Sequence, residues 1–377
     1  MRIRDLLLSM SVLASPSLRA AEPVTALALS PDGIHLATGG EGRTLRMLRT
    51  GAGDLVAERK LSGKIESLAF SADGRRLAAG ASDRQVTWFH FDKANLAHPR
   101  EFRCSGPVAA LAFSPDGRLL ACGLAGTGVI HLLDAARGAQ RTWLDDSGNG
   151  NSGIAFAARG KVLVSAGQTW SAWDLEAAGA LADRGDSPPS VPEGPVERNG
   201  KFRLRRLGMG WAMSVAALPD GKSCAAWEVV DRRDGPQEVG ISIRDVRTGE
   251  ETLRLGSGAK GLGWVALTDD GRLLASSDEK GRAVVWELPS GRERARYAPP
   301  GGARVSSLSG ATTRPLLALA VGGVALLWDL SGDRQPEAFS PRGTGSGSSP
   351  SGGSAEAPRG GEGRAPGVET SRSGRQK

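Results

Sequence analysis

Residues able to carry a reaction are sparse in this chain, and their spacing argues against most chemistries. The four histidines, His35, His90, His98 and His131, fall in or beside runs of alternating apolar residues. No two of them stand at the spacing of a metal-ligand pair, so each reads as a structural or surface residue. Cys104, Cys122 and Cys224 are odd in number and show no metal-binding spacing; in apolar surroundings they read as buried free thiols. Gly221-Lys222-Ser223 has the ending of a phosphate-binding loop, but the earlier glycine that loop requires is Ala216, and no helix follows. Gly123-Leu-Ala-Gly126-Thr-Gly128 also lies between apolar runs, with no helix N-terminus to aim amides at a phosphate. No metal and no cofactor is expected.

The elements that would position such residues repeat along the chain. Val24–Arg49 reads VTALALSPDGIHLATGGEGRTLRMLR, and close copies begin at Ile65 and Val108. More worn copies begin at Ser152, Ser214, Leu262 and Val305. The turn glycines Gly33, Gly74, Gly117, Gly160, Gly221 and Gly271 are 41, 43, 43, 61 and 50 residues apart. A propeller blade has a period of roughly 40–45 residues, so the two long intervals read as insertions. In each unit an apolar run meets a turn such as Pro-Asp-Gly and a second run returns, which is a β-hairpin with Gly at a positive-φ position. A third run and a more polar fourth complete four strands. No window sustains a 3.6-residue period. The first strands are rich in small residues (Ala26, Ala28, Ser67, Ala69, Ala110, Ala112), as strands crowded round a central channel must be.

These repeats resemble the WD-repeat β-propeller family. The likeness is carried by the turns Ser30–Gly33 and Ser114–Gly117, the Leu-Ala-x-Gly strands, and the pairs Trp173-Asp174, Trp286-Glu287 and Trp328-Asp329. The fold expected is all-β: one seven-bladed propeller of four-stranded antiparallel blades over residues 22–340. The blades are placed at 24–61, 65–104, 108–145, 152–207, 213–256, 262–298 and 305–339, forming one nearly continuous core. The family's Gly-His dipeptide is missing, so its buried Asp–His–Ser/Thr–Trp hydrogen-bond network is not expected as such. Propeller enzymes generally place metal ligands or acid–base groups on the innermost strands. Here those strands carry one carboxylate, Glu66, and no histidine, short of what acid–base or metal catalysis needs. The expected function is therefore a non-catalytic scaffold for a protein or peptide. The alternatives are a propeller hydrolase or lyase with a channel site, and an intracellular assembly scaffold.

The ends and the charge add to this. Residues 1–21 have the layout of a signal peptide: Arg2 and Arg4, an apolar stretch Leu6–Leu18, then Ala20-Ala21. As a helix that stretch would reach only about 20 Å, so no transmembrane anchor is expected and export to the periplasm or medium is. The competing reading gives Arg2–Met10 to the last blade as an outer strand. Residues 341–377, rich in Gly, Ser, Pro and Arg, have little to bury and are expected to be disordered. Of the net charge of +7, the first 21 residues hold +2 and the last 37 hold +3, leaving +2 on the propeller. A nucleic-acid binder concentrates its charge on the folded domain, so none is expected, and the propeller is expected to be a monomer.

In the family, the loops joining second to third strands and one blade to the next gather on one rim and bind partners. By position, that rim would hold Glu41, Arg43, Arg84, Trp170 and Lys280 in the first kind of loop, with Asp83, Gln168 and Glu279 beside them. Trp211 and Arg304 fall in the second kind, together with Lys64 and Lys260. The fifth blade's insertion adds Arg232 and Arg233. Trp170 and Trp211 are the expected anchors, because aromatic side chains dominate binding hot spots. Asp83 and Asp278 have a simpler role open to them, bracing their own turns.

Overall fold

The computed structural model describes residues 22–338, apart from 93–94, 146–149, 179, 182–202, 209–210, 231–237, 257–262, 279 and 333–334. The signal-peptide and tail expectations therefore lie outside the described residues.

Seven four-stranded sheets follow one another along the chain, each antiparallel and each with its strands in sequence order. The innermost strands are Val24–Leu29, Ile65–Phe70, Val108–Phe113, Gly153–Ala157, Trp211–Ala217, Val265–Thr268 and Val305–Gly310. The outermost are Leu55–Lys60, Asn95–Arg103, Gln140–Asp145, Arg203–Gly208, Glu251–Leu255, Arg292–Tyr297 and Glu337–Ala338. The protein is thus a seven-bladed β-propeller, as the repeats imply.

The local reason for each hairpin is visible in blades 1 to 3. Asp32 accepts hydrogen bonds from the Ser30 hydroxyl and the Ile34 amide, while the Ser30 oxygen accepts from the His35 amide at 2.9 Å. Gly33 supplies the left-handed residue at φ 67°. Ser71 with Asp73, and Ser114 with Asp116, repeat the arrangement. At Asp73 burial opposes ionisation, but hydrogen bonds from Ser71 and the Arg75 amide outweigh it and hold the carboxyl below the usual range. The Ser-x-Asp-Gly signature is thus a turn with its own hydrogen-bond supply.

The core is divided rather than continuous. Among the described residues seven apolar clusters occur, one at each blade–blade interface. The interface of blades 3 and 4, for example, packs Ala110, Leu119 and Ile130 against Ile154, Phe156 and Trp173. Small residues in the second strands let the next blade come close: a Cβ at Gly39 would lie 2.8 Å from Ile65 atoms.

Part of the family's bracing network does form, which refines the expectation from the missing Gly-His dipeptide. The Trp173 indole donates to Ser165 at 2.8 Å and the Trp286 indole to Ser276 at 3.0 Å. The Trp–Ser half of the network thus stands without a histidine beside it.

Two chain connections are also settled. Arg203–Gly208 pairs with the third strand of blade 4, Ala172 opposite Arg205. The proline-rich insertion 183–200 falls in sequence between this third strand and this fourth strand and lies outside the described residues. In blade 7 the outer slot is taken by Glu337–Ala338, opposite Leu327 and Leu326, and Arg2–Met10 lies outside the described residues. The ring closes by packing of blade 1 on blade 7. Leu27, Leu29 and Leu36 meet Ala318, Ala320 and Ala325. The Val24 amide reaches the Gly323 carbonyl at 2.9 Å, and the Leu29 amide reaches the Ser309 hydroxyl at 2.9 Å.

Candidate functional site

On the rim of second-to-third-strand loops, blades 1, 2, 3 and 7 solve one backbone problem in two ways. The residue just before the third strand is left-handed in all four. Gly128 and Gly323 fill the position in blades 3 and 7, at φ 76° and 84°, whereas blades 1 and 2 place Arg43 and Arg84 there, at φ 57° and 74°. A left-handed non-glycine residue costs roughly 1–2 kcal/mol. Both arginines are exposed. Arg43 donates to the Ser62 carbonyl at 3.3 Å, which ties its loop to the connection between blades 1 and 2.

Beside them Lys64 bridges two carboxylates, Glu41 at 2.7 Å and Glu66 at 3.3 Å. The hydrogen bond to Glu41 raises the Lys64 pKa, and the carboxylate of Glu66 adds to it against partial burial, so the amine stays charged. Glu66, the one carboxylate of the innermost strands, is thereby held in a rim ion pair. On blade 6, Lys280 and Arg304 are exposed. Gly281 packs so closely on the backbone of Arg304 that a Cβ there would come within 2.6 Å of its Cα.

Trp170 is a correction. It opens the strand Trp170–Asp174, is 0% exposed, and sits in the cluster between blades 4 and 5. Its indole donates to Glu228 at 3.0 Å, and the Arg244 guanidinium lies 5.7 Å from its ring centre. Alternation along the third strand sends it into the core, so it is not a rim contact. The Trp211 backbone pairs with Val229, and its side chain lies outside the described residues, as do Arg232, Arg233, Lys260 and Glu279. Gln168 is exposed. Asp83 accepts from the Gln85 amide at 3.2 Å, and Asp278 from the Arg282 amide at 2.9 Å, the turn-bracing role.

Sequence reasoning did not find the partners of Trp170. Glu228, with a fully buried side chain, accepts from Arg254 at 2.8 Å and from Arg244 at 3.2 Å, besides the indole. Both arginines also bind Glu251, at 2.6 and 2.9 Å. The signal was a single charged residue, Glu228, in the strand Ser223–Val230. Of the histidines, His131 is buried between Gln140 (2.7 Å) and Ser105 (3.1 Å). His35 packs edge-on against Phe91 at 4.8 Å, and His90 and His98 are exposed. The three cysteines are buried free thiols. Among the described residues no group of three or more His, Cys, Asp or Glu side chains could hold a metal ion, and no helix is long and apolar enough to cross a membrane.

Comparisons with known proteins come from sequence and from shape. The family described as "WD domain, G-beta repeat" matches residues 15–47, 56–90 and 97–134. The small ribosomal subunit protein RACK1 of Caenorhabditis elegans is 34% identical over 85 residues, 22% of this chain and 26% of that protein. The match thus spans about a quarter of the relative's length. A chain of Kuenenia stuttgartiensis hydrazine synthase superposes with a TM-score of 0.66 at 14% identity, covering 85% of this chain and 99% of the other. At that identity the likeness is one of fold.

Proposed function

We propose that this chain, a seven-bladed WD-repeat β-propeller, is a non-catalytic scaffold that binds a protein or peptide on the rim carrying Arg43 and Arg84. One observation supports this above the rest: two neighbouring blades keep an exposed arginine in a left-handed conformation where blades 3 and 7 use glycine. Backbone strain retained at an exposed position is a pointer to function, and arginine is among the residues enriched at binding hot spots. Glu41, Lys64 and Glu66 lie alongside and offer both signs of charge to a partner. Propellers of this family commonly serve as interaction platforms, and the likeness to RACK1 over 85 residues is consistent with that. The basic residues and short apolar run of residues 1–21 support export of the scaffold.

The test is affinity capture from native cells with wild-type bait and an Arg43→Gly/Arg84→Gly bait, with the N-terminal peptide of the natural protein sequenced alongside. Glycine relieves the strain, so the variant should be at least as stable as wild type while its yield of the specific partner falls at least tenfold. Equal capture by both baits removes this rim from consideration. A natural N-terminus near Ala21 supports export; an intact Met1 or Arg2 overturns it.

A further inference from the structure

A second charged feature lies on the opposite rim, where the hairpin turns and the third-to-fourth-strand turns gather. Between blades 2 and 3 a cleft of about 280 Å³ is lined by Arg76, Arg118, Arg137 and Arg141 with Asp116 and Asp134. Four guanidinium groups face two carboxylates, so the lining carries an excess of two positive charges.

The two carboxylates are already engaged. Asp134 accepts from the amides of Ala136 and Arg137 at 2.9 and 2.7 Å, and from Arg141 at 2.6 and 3.1 Å. Asp116 accepts from the Ser114 hydroxyl at 2.5 Å and the Arg118 amide at 3.0 Å. Burial works against the Asp134 charge, but the Arg137 amide and the Arg141 side chain outweigh it and keep the group ionised and fixed. Arg76 donates one nitrogen to the Gly117 carbonyl, which holds it half-buried across the blade interface. Arg118 and Arg137 are exposed, and among the described residues neither side chain makes a hydrogen bond or ion pair. The result is a cleft in which Arg76 and Arg141 are held in place by protein partners while the Arg118 and Arg137 guanidiniums stay available. Forked guanidinium donors match the oxygens of a phosphoryl group two at a time.

We propose that this cleft binds a phosphate monoester dianion, with Arg76 and Arg141 as its fixed wall and Arg118 and Arg137 closing on the ligand. The ester belongs either to a phosphorylated side chain of a partner or to a small phosphorylated metabolite.

Isothermal titration of the full chain at constant ionic strength tests this. The probes are inorganic phosphate, a phosphoserine peptide, its unphosphorylated counterpart and glucose 6-phosphate, against wild type and Arg118→Gln/Arg137→Gln. Those two side chains are exposed and structurally unengaged, so the variant keeps its fold, which its melting temperature verifies. The expected result is saturable phosphate binding by wild type that weakens at least tenfold in the variant. Tighter binding of the phosphopeptide than of phosphate, with none of the unphosphorylated peptide, assigns the ester to a partner; tighter binding of the sugar phosphate alone assigns it to a metabolite. Equal phosphate affinity in wild type and variant, or no saturable binding by wild type, overturns the proposal. Because these residues lie on the other rim from Arg43 and Arg84, either proposal can fail without the other.

Discussion

Removing the Glu228 carboxylate is the sharpest perturbation the structure offers. Glu228 is 0% exposed at its side chain, while Arg244 and Arg254 are 18% and 23% exposed and Glu251 is 29% exposed. Glu228→Ala leaves two guanidiniums sharing Glu251 and orphans the Trp170 indole N–H. Breaking a buried charge pair from one side costs about 3–5 kcal/mol, and an unpaired buried donor about 1–3 kcal/mol. The Arg244 Nε and Arg254 Nη1 atoms are already buried without a partner, and water can reach the rest of both side chains, so the lower end applies: about 3–4 kcal/mol in total. Unfolding entropy of about 2.1 cal/mol/K per residue over roughly 317 residues gives about 0.67 kcal/mol/K, so the melting temperature should fall by about 5 °C. Glu228→Gln, which retains an acceptor for the indole, should lose roughly half as much. Replacing Glu228, Arg244 and Arg254 together by Met removes the buried charges but still orphans the indole N–H, so it should cost only about 1–3 kcal/mol, less than the single variant. Scanning calorimetry of the four proteins decides it. A Glu228→Ala drop below about 1.5 °C, or a triple variant less stable than the single one, would refute the reasoning.

Three further outcomes are expected. Burial lowers the His131 pKa, with the Gln140 hydrogen bond opposing it, so the unfolded chain binds more protons than the folded one just below the ordinary histidine value. Stability from this group is complete above about pH 6.5 and is lost as pH falls through the folded pKa; the melting temperature of His131→Gln should decline less from pH 7.5 to 5.5 than that of wild type, and parallel declines would count against it. Burial also pushes the Cys122 and Cys224 thiols upward, so reduced native protein should react with a thiol reagent at pH 8 only over hours, and show three thiols within minutes once unfolded; one fast native thiol contradicts this. Gly39→Ala would force a Cβ against Ile65 at 2.8 Å and should cost about 1–3 kcal/mol by overpacking, read as a fall of several degrees in melting temperature, whereas an unchanged value would mean that blades 1 and 2 are looser than they appear.

The propeller was legible because its signals are local and repeated. A Ser-x-Asp-Gly turn declares itself by residue type, and one degenerate copy costs little when six others hold the phase. The number of blades, their order and the four strands in each follow from that alone. What escaped depends on which way one side chain points and on what another blade brings to it. Trp170 stands only one residue past a loop, and whether it faces solvent or the neighbouring sheet is a matter of register. Its partner Glu228 is 58 residues away, on a strand whose blade contains an insertion. The arginine cleft draws on two blades, and in the chain Arg76 and Arg118 look like ordinary polar turn residues. Arg43 and Arg84 were recognised as rim residues from their place between strands, but their left-handed backbone could not be read without coordinates.

The seam between blades 1 and 7 has a consequence for how this chain could be rearranged. No strand is exchanged there among the described residues: each of the seven sheets is filled by one contiguous stretch of sequence, and the seam is an apolar face with a few hydrogen bonds, like the other six interfaces. The starting point of the chain is therefore arbitrary as far as packing is concerned. Joining residue 338 to residue 22 through a short linker and opening the exposed connection at 300–302 would yield a permuted ring with every interface retained. Tolerance to permutation is highest where the cut falls in an exposed connection. The same interchangeability offers a way to move either arginine-bearing rim loop, or the cleft between blades 2 and 3, to a new place in the order of synthesis without moving it in space.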